Sequence, residues 1–445
     1  MSIPPNHSSR YIYHFSHIDN LKSIIQHGLL ANMHSNFAAT GARSIAASTI
    51  QERRAVMEIP FEGGGVVHNY VPLYFGSLSL MLLGVINKKN VDQCDILYFE
   101  FPIGILNSPG VIFTDASANT ATPPTFFNDL RQLDKINWSE VDSIKWKCAN
   151  DDLRHQRMAE ALIPPPLSLQ DAKRIVVWNK DTKSEVIKIA AECGITLPPI
   201  EYESRERRHY FCKFVNGSNG ESLVTGPRGI ASVFEATCLE IAKLPQGLQC
   251  ASFLTLQSLL EGLRIDFGSI PQTAELVGLK SANGVHKLTV DLHTQAVVAK
   301  LKSLPEFEVL SQAQRNIVEL ATYLHDIGKG PKSRWAYNGG VQAVDPDHPV
   351  AAMPMMIEIF NTSVRFWTDT DARIVTKLVC YHDLVGEVIG KGRDQQQIWE
   401  IASDQGELDM LFAIGKADAT SLAEHWWDAS AAAVLYCRCL AAINA

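Results

Sequence analysis

Asp95-Ile96-Leu97-Tyr98-Phe99-Glu100-Phe101 is a short run rich in apolar and aromatic residues. Its length and composition are those of a strand. Arg174-Ile175-Val176-Val177-Trp178 is a second such run. Between Asn20 and Leu30 the pattern differs. Leu21, Ile24, Ile25 and Leu29 recur at helical spacing, and the period ends near Gly28. Strand and helix patterns are thus mixed in the first half of the chain, which reads as an α+β domain. Gly63-Gly64-Gly65 and Pro164-Pro165-Pro166 interrupt it. No strand-to-helix phosphate motif follows the three glycines, so they read as a loop.

Asn216-Gly217-Ser218-Asn219-Gly220-Glu221-Ser222 favours turns over packed elements and reads as a linker. The expected division is a domain over 1–215, a linker over 216–225 and a second domain over 226–445. That second domain reads as all-α. Ile317 to Leu324, Ala351 to Phe360, Ala372 to Tyr381 and Leu408 to Ala419 are its candidate helices.

A chain of 445 residues with 46% hydrophobic and 20% charged residues can bury sizeable cores and is not disordered. No apolar run is long enough to span a bilayer. The N-terminus lacks a basic segment followed by an apolar one, so no signal peptide is expected. The nine cysteines are scattered, without a disulfide or zinc-ribbon spacing, which suits a reducing cytoplasm. Residues 1–216 hold 22 basic and 22 acidic residues, so the net charge of −8 falls wholly in the remainder. An acidic whole chain is no obvious nucleic-acid binder, but its neutral half with local basic clusters could be one.

Three residues of the first half have types that suit cleavage of a dinucleotide's glycosidic bond. Glu160 can stabilise an oxocarbenium-like transition state and hold a ribose hydroxyl. Arg54 offers a planar fork for a pyrophosphate. His14 can donate or accept at a ribose or carboxamide. Each has a plainer reading. His14 could be a satisfied core histidine, and one of Arg53 and Arg54 could pair with Glu52 or Glu58 on a helix surface. Arg53 is the better candidate for that surface role. Glu160 enters the apolar run Ala161-Leu162-Ile163, where a carboxylate without a partner is costly.

Residues 11 to about 215 resemble the DarT family of bacterial DNA ADP-ribosyltransferases. The resemblance lies in Tyr13-His14-Phe15-Ser16-His17-Ile18-Asp19-Asn20-Leu21, in Arg43-Ser44-Ile45-Ala46 leading to Ile50-Gln51-Glu52-Arg53-Arg54, and in Asn69-Tyr70-Val71-Pro72-Leu73-Tyr74-Phe75. Phe113-Thr114-Asp115, Phe126-Phe127-Asn128-Asp129-Leu130 and Ala159-Glu160 continue it. It implies that His14, Phe15, Ser16 and Asn20 hold NAD, that Arg54 is essential and that Glu160 is catalytic. It also implies single-stranded DNA as the acceptor. Phe126, Phe127, Arg131, Lys135, Trp138, Lys145, Trp146, Lys147 and Arg154 are candidates for its track, although Phe126 and Trp138 fit core packing better. The run after Phe75, Gly76-Ser77-Leu78-Ser79, lacks the basic residue of the family's Pro-Arg-Ser-Pro. The acceptor base, thymine or guanine, therefore stays open.

The sharpest short motif in the chain is Thr322-Tyr323-Leu324-His325-Asp326-Ile327-Gly328-Lys329. Adjacent His and Asp at a helix end can share one divalent cation. His293, His325, Asp326 and Asp418 could hold one ion, and His348 and His382 could complete a second site. Lys329 could stabilise a phosphate, and Asp383 could orient His382. Asp345 and Asp347 could orient His348 or belong to a loop. This order of ligands resembles the HD-domain metal-dependent phosphohydrolases, over about residues 265 to 425. The segment from Ile270-Pro271 through Glu275-Leu276-Val277-Gly278-Leu279 to His286, Asp291 and His293 is similar to what precedes the first metal ligand in HD domains of nucleotidyltransferase type.

The two resemblances together imply an NAD-dependent transferase acting on DNA, fused to a metal-dependent hydrolase that processes or controls the modification. A toxin or phage-defence protein, with room for a separate antitoxin, would have this make-up. The competing reading is an HD nucleotide hydrolase whose first domain only senses a nucleotide or nucleic acid.

Overall fold

In the computed structural model the described residues are 2–444, apart from 46–47, 119–122, 146–147, 205–206, 216–217, 283 and 285–287. Trp146, Lys147, His286, Asn216 and Gly217 lie outside them. The chain divides into two compact units, Met1–Asn87 with Val91–Leu223, and Lys88–Asn90 with Val224–Ala445.

The first unit is built on an eight-stranded sheet. Its strands are β1 (Tyr11–His17), β2 (Val71–Tyr74), β3 (Ile96–Pro102), β4 (Ile112–Thr114), β5 (Phe126–Phe127), β6 (Glu160–Ile163), β7 (Arg174–Val177) and β8 (Ile200–Tyr202). Their order is β5-β4-β6-β2-β1-β3-β7-β8, antiparallel except for the parallel pair β7–β8. In β3 every residue from Ile96 to Phe101 is buried, because both faces of this inner strand are covered. Both strand-like runs of the sequence are inner strands. Ile12, Leu73, Phe99, Phe101 and Ile175 build the core around them.

One row of residues crosses this sheet. Glu160 pairs with Tyr74, Tyr74 with Tyr13, Tyr13 with Glu100 and Glu100 with Arg174. Directly opposed residues share a face, so two carboxylates and two phenols lie side by side under the sheet surface. Glu100 has no solvent exposure. It accepts from Arg174 Nε at 3.0 Å and from Arg207 Nη1 at 2.6 Å, and His209 Nε2 lies 3.7 Å away. Burial alone would raise its carboxyl, but His209, Arg174 and Arg207 hold it below its ordinary value.

The helix Leu21–His27 ends at Gly28, as the period predicts. Gly28 has φ +75°, and a Cβ there would meet the Leu167 carbonyl oxygen at 2.7 Å. Both facts require glycine. At the end of the unit the expected linker contains the strand Ser218–Ser222, paired antiparallel with Cys212–Val215. The boundary between the two units falls between Leu223 and Val224.

The second unit is helical. The four predicted helices lie within Gln312–Leu324, His348–Thr362, Asp369–Tyr381 and Gln405–Leu422. Pro227–Lys243, Leu256–Ile265, Val290–Lys302 and Ala429–Ile443 are further helices. The unit is not purely α: two-stranded patches join Phe253–Thr255 to Val364–Phe366, and Lys280–Ser281 to Val341–Gln342. Among the described residues no helix is long and apolar enough to cross a membrane.

A carboxyl whose folded pKa is depressed stabilises the fold above its ordinary value, here 4.5, and that contribution disappears as pH falls through the lowered value. Glu100→Gln is therefore expected to lower stability at neutral pH and to flatten its loss in acid. Urea unfolding of the two proteins between about pH 3 and 6 measures this.

Candidate active sites

β1 and β2 are registered at one pair, Tyr13 and Tyr74. Pro72 has no N–H to extend that ladder. Its carbonyl is taken instead by a side chain, since His14 Nδ1 lies 2.8 Å from Pro72 O. A carbonyl only accepts, so Nδ1 carries the ring proton. Burial lowers the His14 pKa and keeps the imidazole neutral. A cleft of about 270 Å³ opens here, lined by His14, Ser16, Asn20, Arg54, His68 and Tyr74 among others. His14 is thus both hydrogen-bonded like a core histidine and part of the cleft wall.

Arg54 and Glu160, 106 positions apart, meet at the side of this cleft. Arg54 Nη1 donates to Glu160 Oε1 at 2.9 Å, and Nη2 to Oε2 at 3.0 Å. The Ala118 N–H adds a bond of 2.8 Å to Oε1. Burial opposes the Arg54 charge, but the Glu160 carboxylate outweighs it and raises the guanidinium pKa. The helix Ser48–Val56 turns Arg54 inward and leaves Arg53 exposed. Of the two arginines, the one facing the protein is therefore Arg54. Tyr74 stands beside the pair; burial first, then Glu160, pushes its phenol well up, so it is a neutral O–H.

The remaining expected residues shape the cleft. Asn20 Nδ2 donates to Ser16 Oγ at 3.0 Å and to Arg43 O at 2.9 Å, while Asn20 Oδ1 accepts from Arg43 N at 2.7 Å. Asn20 thereby ties the Arg43 segment to the end of β1. The Phe15 ring packs on Tyr74 and Tyr98.

The expected DNA track is more dispersed. Trp138 has Arg10 3.9 Å above its ring, His7 stacked at 4.7 Å and Phe75 at its edge. These contacts engage it in packing. Phe127 is buried against Phe113. Arg131 pairs with Asp129, and Arg154 with Asp151. Lys135, Lys145 and Arg154 are exposed.

In the second unit, five helices bring the expected ligands together. His293 with His325 and Asp418, His325 with Asp326 and His382, and His348 with His382 and Asp383 each place their ligand atoms within 4.8 Å of one another. Three imidazoles are held alike. His325 Nδ1 faces Thr322 O at 2.7 Å, His348 Nδ1 faces Asp345 O at 3.0 Å, and His382 Nδ1 faces Val379 O at 2.8 Å. Each Nδ1–H donates to a carbonyl three residues earlier, so each Nε2 presents a lone pair inward. His348 Nε2 and His382 Nε2 lie 3.1 Å apart. Two lone pairs at that distance repel unless a proton or a cation lies between them. His325 Nε2 is buried without a hydrogen-bond partner, and Asp326 Oδ1 has the His348 Nε2 atom 3.3 Å away. Burial holds the His325 pKa down to about 4, so its lone pair is available at neutral pH. These donors fit a divalent cation.

Lys329 Nζ lies 2.7 Å from Asp326 Oδ2. Asp345 and Asp347 do not enter the cluster: Asp345 pairs with Arg334, and Asp347 accepts from Thr225. Asp383 was expected only to orient His382, yet its carboxylate stands among the ligand atoms, 3.8 Å from His348 Nε2. The fold places Asp383 at the start of the next helix, Leu384–Lys391, and so turns it toward both imidazoles. Sequence reasoning also missed His68, one residue before the Asn69-Tyr70-Val71-Pro72 motif, and gave Tyr74 no role. Their only signal was proximity to that motif.

A family model described as ssDNA thymidine ADP-ribosyltransferase, DarT, matches residues 13–211. A DNA ADP-ribosyl transferase of Thermus sp. (strain 2.9) is 33% identical over 184 residues, 40% of this chain and 86% of that protein. One of Thermus aquaticus is 28% identical over 208 residues, 45% and 89% of the two chains. The solved Thermus sp. 2.9 DarT in complex with ADP-ribosylated ssDNA aligns at 29% identity over 46% of this chain and 99% of that one, with a TM-score of 0.41.

Removing one partner of a buried, bidentate ion pair leaves an uncompensated charge and costs about 3–5 kcal/mol. Arg54→Ala is expected to lose stability on that scale, in a denaturant titration of the full chain. The exposed Arg53→Ala is expected to lose no more than about 0.5 kcal/mol.

Proposed function

Because this chain belongs, through its first unit, to the DarT family of DNA ADP-ribosyltransferases, we propose that it cleaves NAD in the β1–β2 cleft and transfers ADP-ribose to a base of single-stranded DNA. The observation that carries the reading is the bidentate Arg54–Glu160 pair beside a cleft walled by a neutral His14. The nicotinamide–ribose bond breaks with its electron pair leaving on nicotinamide. The ribose C1′ then bears positive charge. Glu160, already fixed by Arg54 and the Ala118 N–H, stabilises that charge without having to reorganise. A nitrogen of the base attacks C1′ and its proton passes to solvent. Arg54 has two roles in this reading, holding Glu160 in place and offering charge to the dinucleotide phosphates. His14, Phe15, Ser16 and Asn20 form the dinucleotide's binding wall.

For the second unit we propose a metal-dependent phosphohydrolase of HD type. His293, His325, Asp326 and Asp418 would hold one divalent cation, and His348, His382 and Asp383 a second. A cation bound there supplies charge neutralisation to a phosphate ester. Lys329, already in contact with Asp326, would add its own charge to a bound phosphate. The pyrophosphate of an ADP-ribosyl adduct is the substrate class that would link the two activities. A toxin or phage-defence role suits the combination.

Incubating a single-stranded oligonucleotide with NAD and the full chain is expected to give a mass increase of one ADP-ribose. Glu160→Ala is expected to reduce the rate by about a hundredfold or more. No adduct on any base with the wild-type chain would sink the transfer reading. For the second unit, elemental analysis after exposure to Mn²⁺ is expected to find bound metal in the wild type and much less in His325→Ala. An adduct that is shortened only when Mn²⁺ is present would establish the link between the activities.

A further inference from the structure

His68 sits in the short turn Val67–Asn69 that leads into β2. It is 8% exposed and lines the same cleft as His14, Arg54 and Tyr74. The protein grips it from two sides. Its carbonyl accepts from the Met33 N–H at 3.1 Å. Its Nε2 lies 3.3 Å from Asn32 Nδ2, and Asn32 Nδ2 also donates to Gln51 Oε1 at 2.6 Å. An amide nitrogen can only donate. Nε2 is therefore the acceptor, and the ring proton is on Nδ1. That Nδ1 has no hydrogen-bond partner among the described residues, and it is not sealed from solvent.

The ring is thus oriented by its back edge, with one N–H left to offer. Burial, and then the nearby Arg54 charge, lower the His68 pKa and keep the imidazole uncharged. A neutral donor beside a guanidinium is poorly matched to a phosphate, which Arg54 itself serves better. It matches an uncharged oxygen, as on a ribose hydroxyl or a carboxamide.

We propose that His68 is a binding residue of the dinucleotide cleft, fixed through Nε2 by Asn32 and donating its Nδ1–H to an uncharged oxygen of NAD. The proposal rests on the transfer reading above and adds a contact that reading does not need. Asn32 and Gln51 become positioning residues, acting on NAD only through the imidazole.

The test is NAD binding to the full chain by calorimetry, with melting temperature as the check on folding. His68→Leu keeps the bulk and removes the donor; its Kd for NAD is expected to rise about tenfold. His68→Asn, whose Nδ2 can donate from nearly the same place, is expected to stay within about threefold of wild type. Transfer kinetics should show the loss in KM for NAD rather than in kcat. Repeating the titration with ADP-ribose, which lacks the carboxamide, separates the two oxygens. A loss with both ligands places the bond on a ribose, and a loss with NAD alone places it on the carboxamide. Should His68→Leu not fold, Asn32→Leu carries the test, with an expected loss of about threefold or more. NAD binding unchanged in whichever of these variants carries the test, or His68→Asn as weak as His68→Leu, would overturn the proposal. If the wild-type chain binds no NAD at all, the transfer reading falls first and the proposal with it.

Discussion

Burying a carboxylate is costly unless opposite charge and hydrogen bonds meet it inside the protein. The first unit buries two, Glu160 and Glu100, in one cross-strand row of a single sheet. Each is met by arginine. Glu160 has Arg54 from a helix before the sheet's second strand. Glu100 has Arg174 from a neighbouring strand and Arg207 from the segment that follows the sheet. Tyr74 and Tyr13, which stand between the two, are pushed well up by burial and remain neutral. The row is therefore two charged ends with an uncharged middle. The position of Glu160 follows from this constraint, and so does the cleft beside it, since the arginine that satisfies Glu160 also forms part of its wall.

The second unit solves a related problem in another way. His293 Nε2 meets Asp418 Oδ1 at 3.1 Å, but the other buried histidines of the cluster share a different anchor. Each of three is anchored by Nδ1 to a carbonyl of its own chain, and the Nε2 atoms converge. Such convergence leaves lone pairs facing each other and an orphaned polar atom, which a fold does not maintain without a cation or proton to occupy the centre. Asp326, Asp383 and Asp418 supply the negative charge that a divalent ion would need.

Much of this was legible in order along the chain. Inner strands reveal themselves by nearly continuous apolar runs, as at Ile96–Phe101 with Glu100 its one charged residue, because a strand covered on both faces has no polar alternation to show. Gly28 marked a helix end. His325-Asp326 marked a helix end with ligand-type side chains, and the further His and Asp residues in order along the chain marked the cluster. The expected linker favours turns by its Gly, Ser and Asn, yet Ser218–Ser222 pairs with Cys212–Val215, a pairing that local composition does not show. Asp383 was given only an orienting role, and His68 none, for a different reason. Each lies beside a residue with a clear signal, and its own side chain acquires a role only from the direction in which a neighbouring turn points it.

The sequence by itself determined which residue types were available and in what order: a histidine before a helix, an arginine pair, a carboxylate entering an apolar strand, then the ordered histidines and aspartates of the second half. Those are properties of local pattern and survive without a fold. Only the tertiary structure decided that Arg54 pairs with Glu160, that Pro72 leaves a carbonyl for His14, and that Asn32 sets the proton on His68. Each of these joins elements far apart in the chain. Direction in space, set by the sheet register and the turns that feed it, is what linear spacing does not carry.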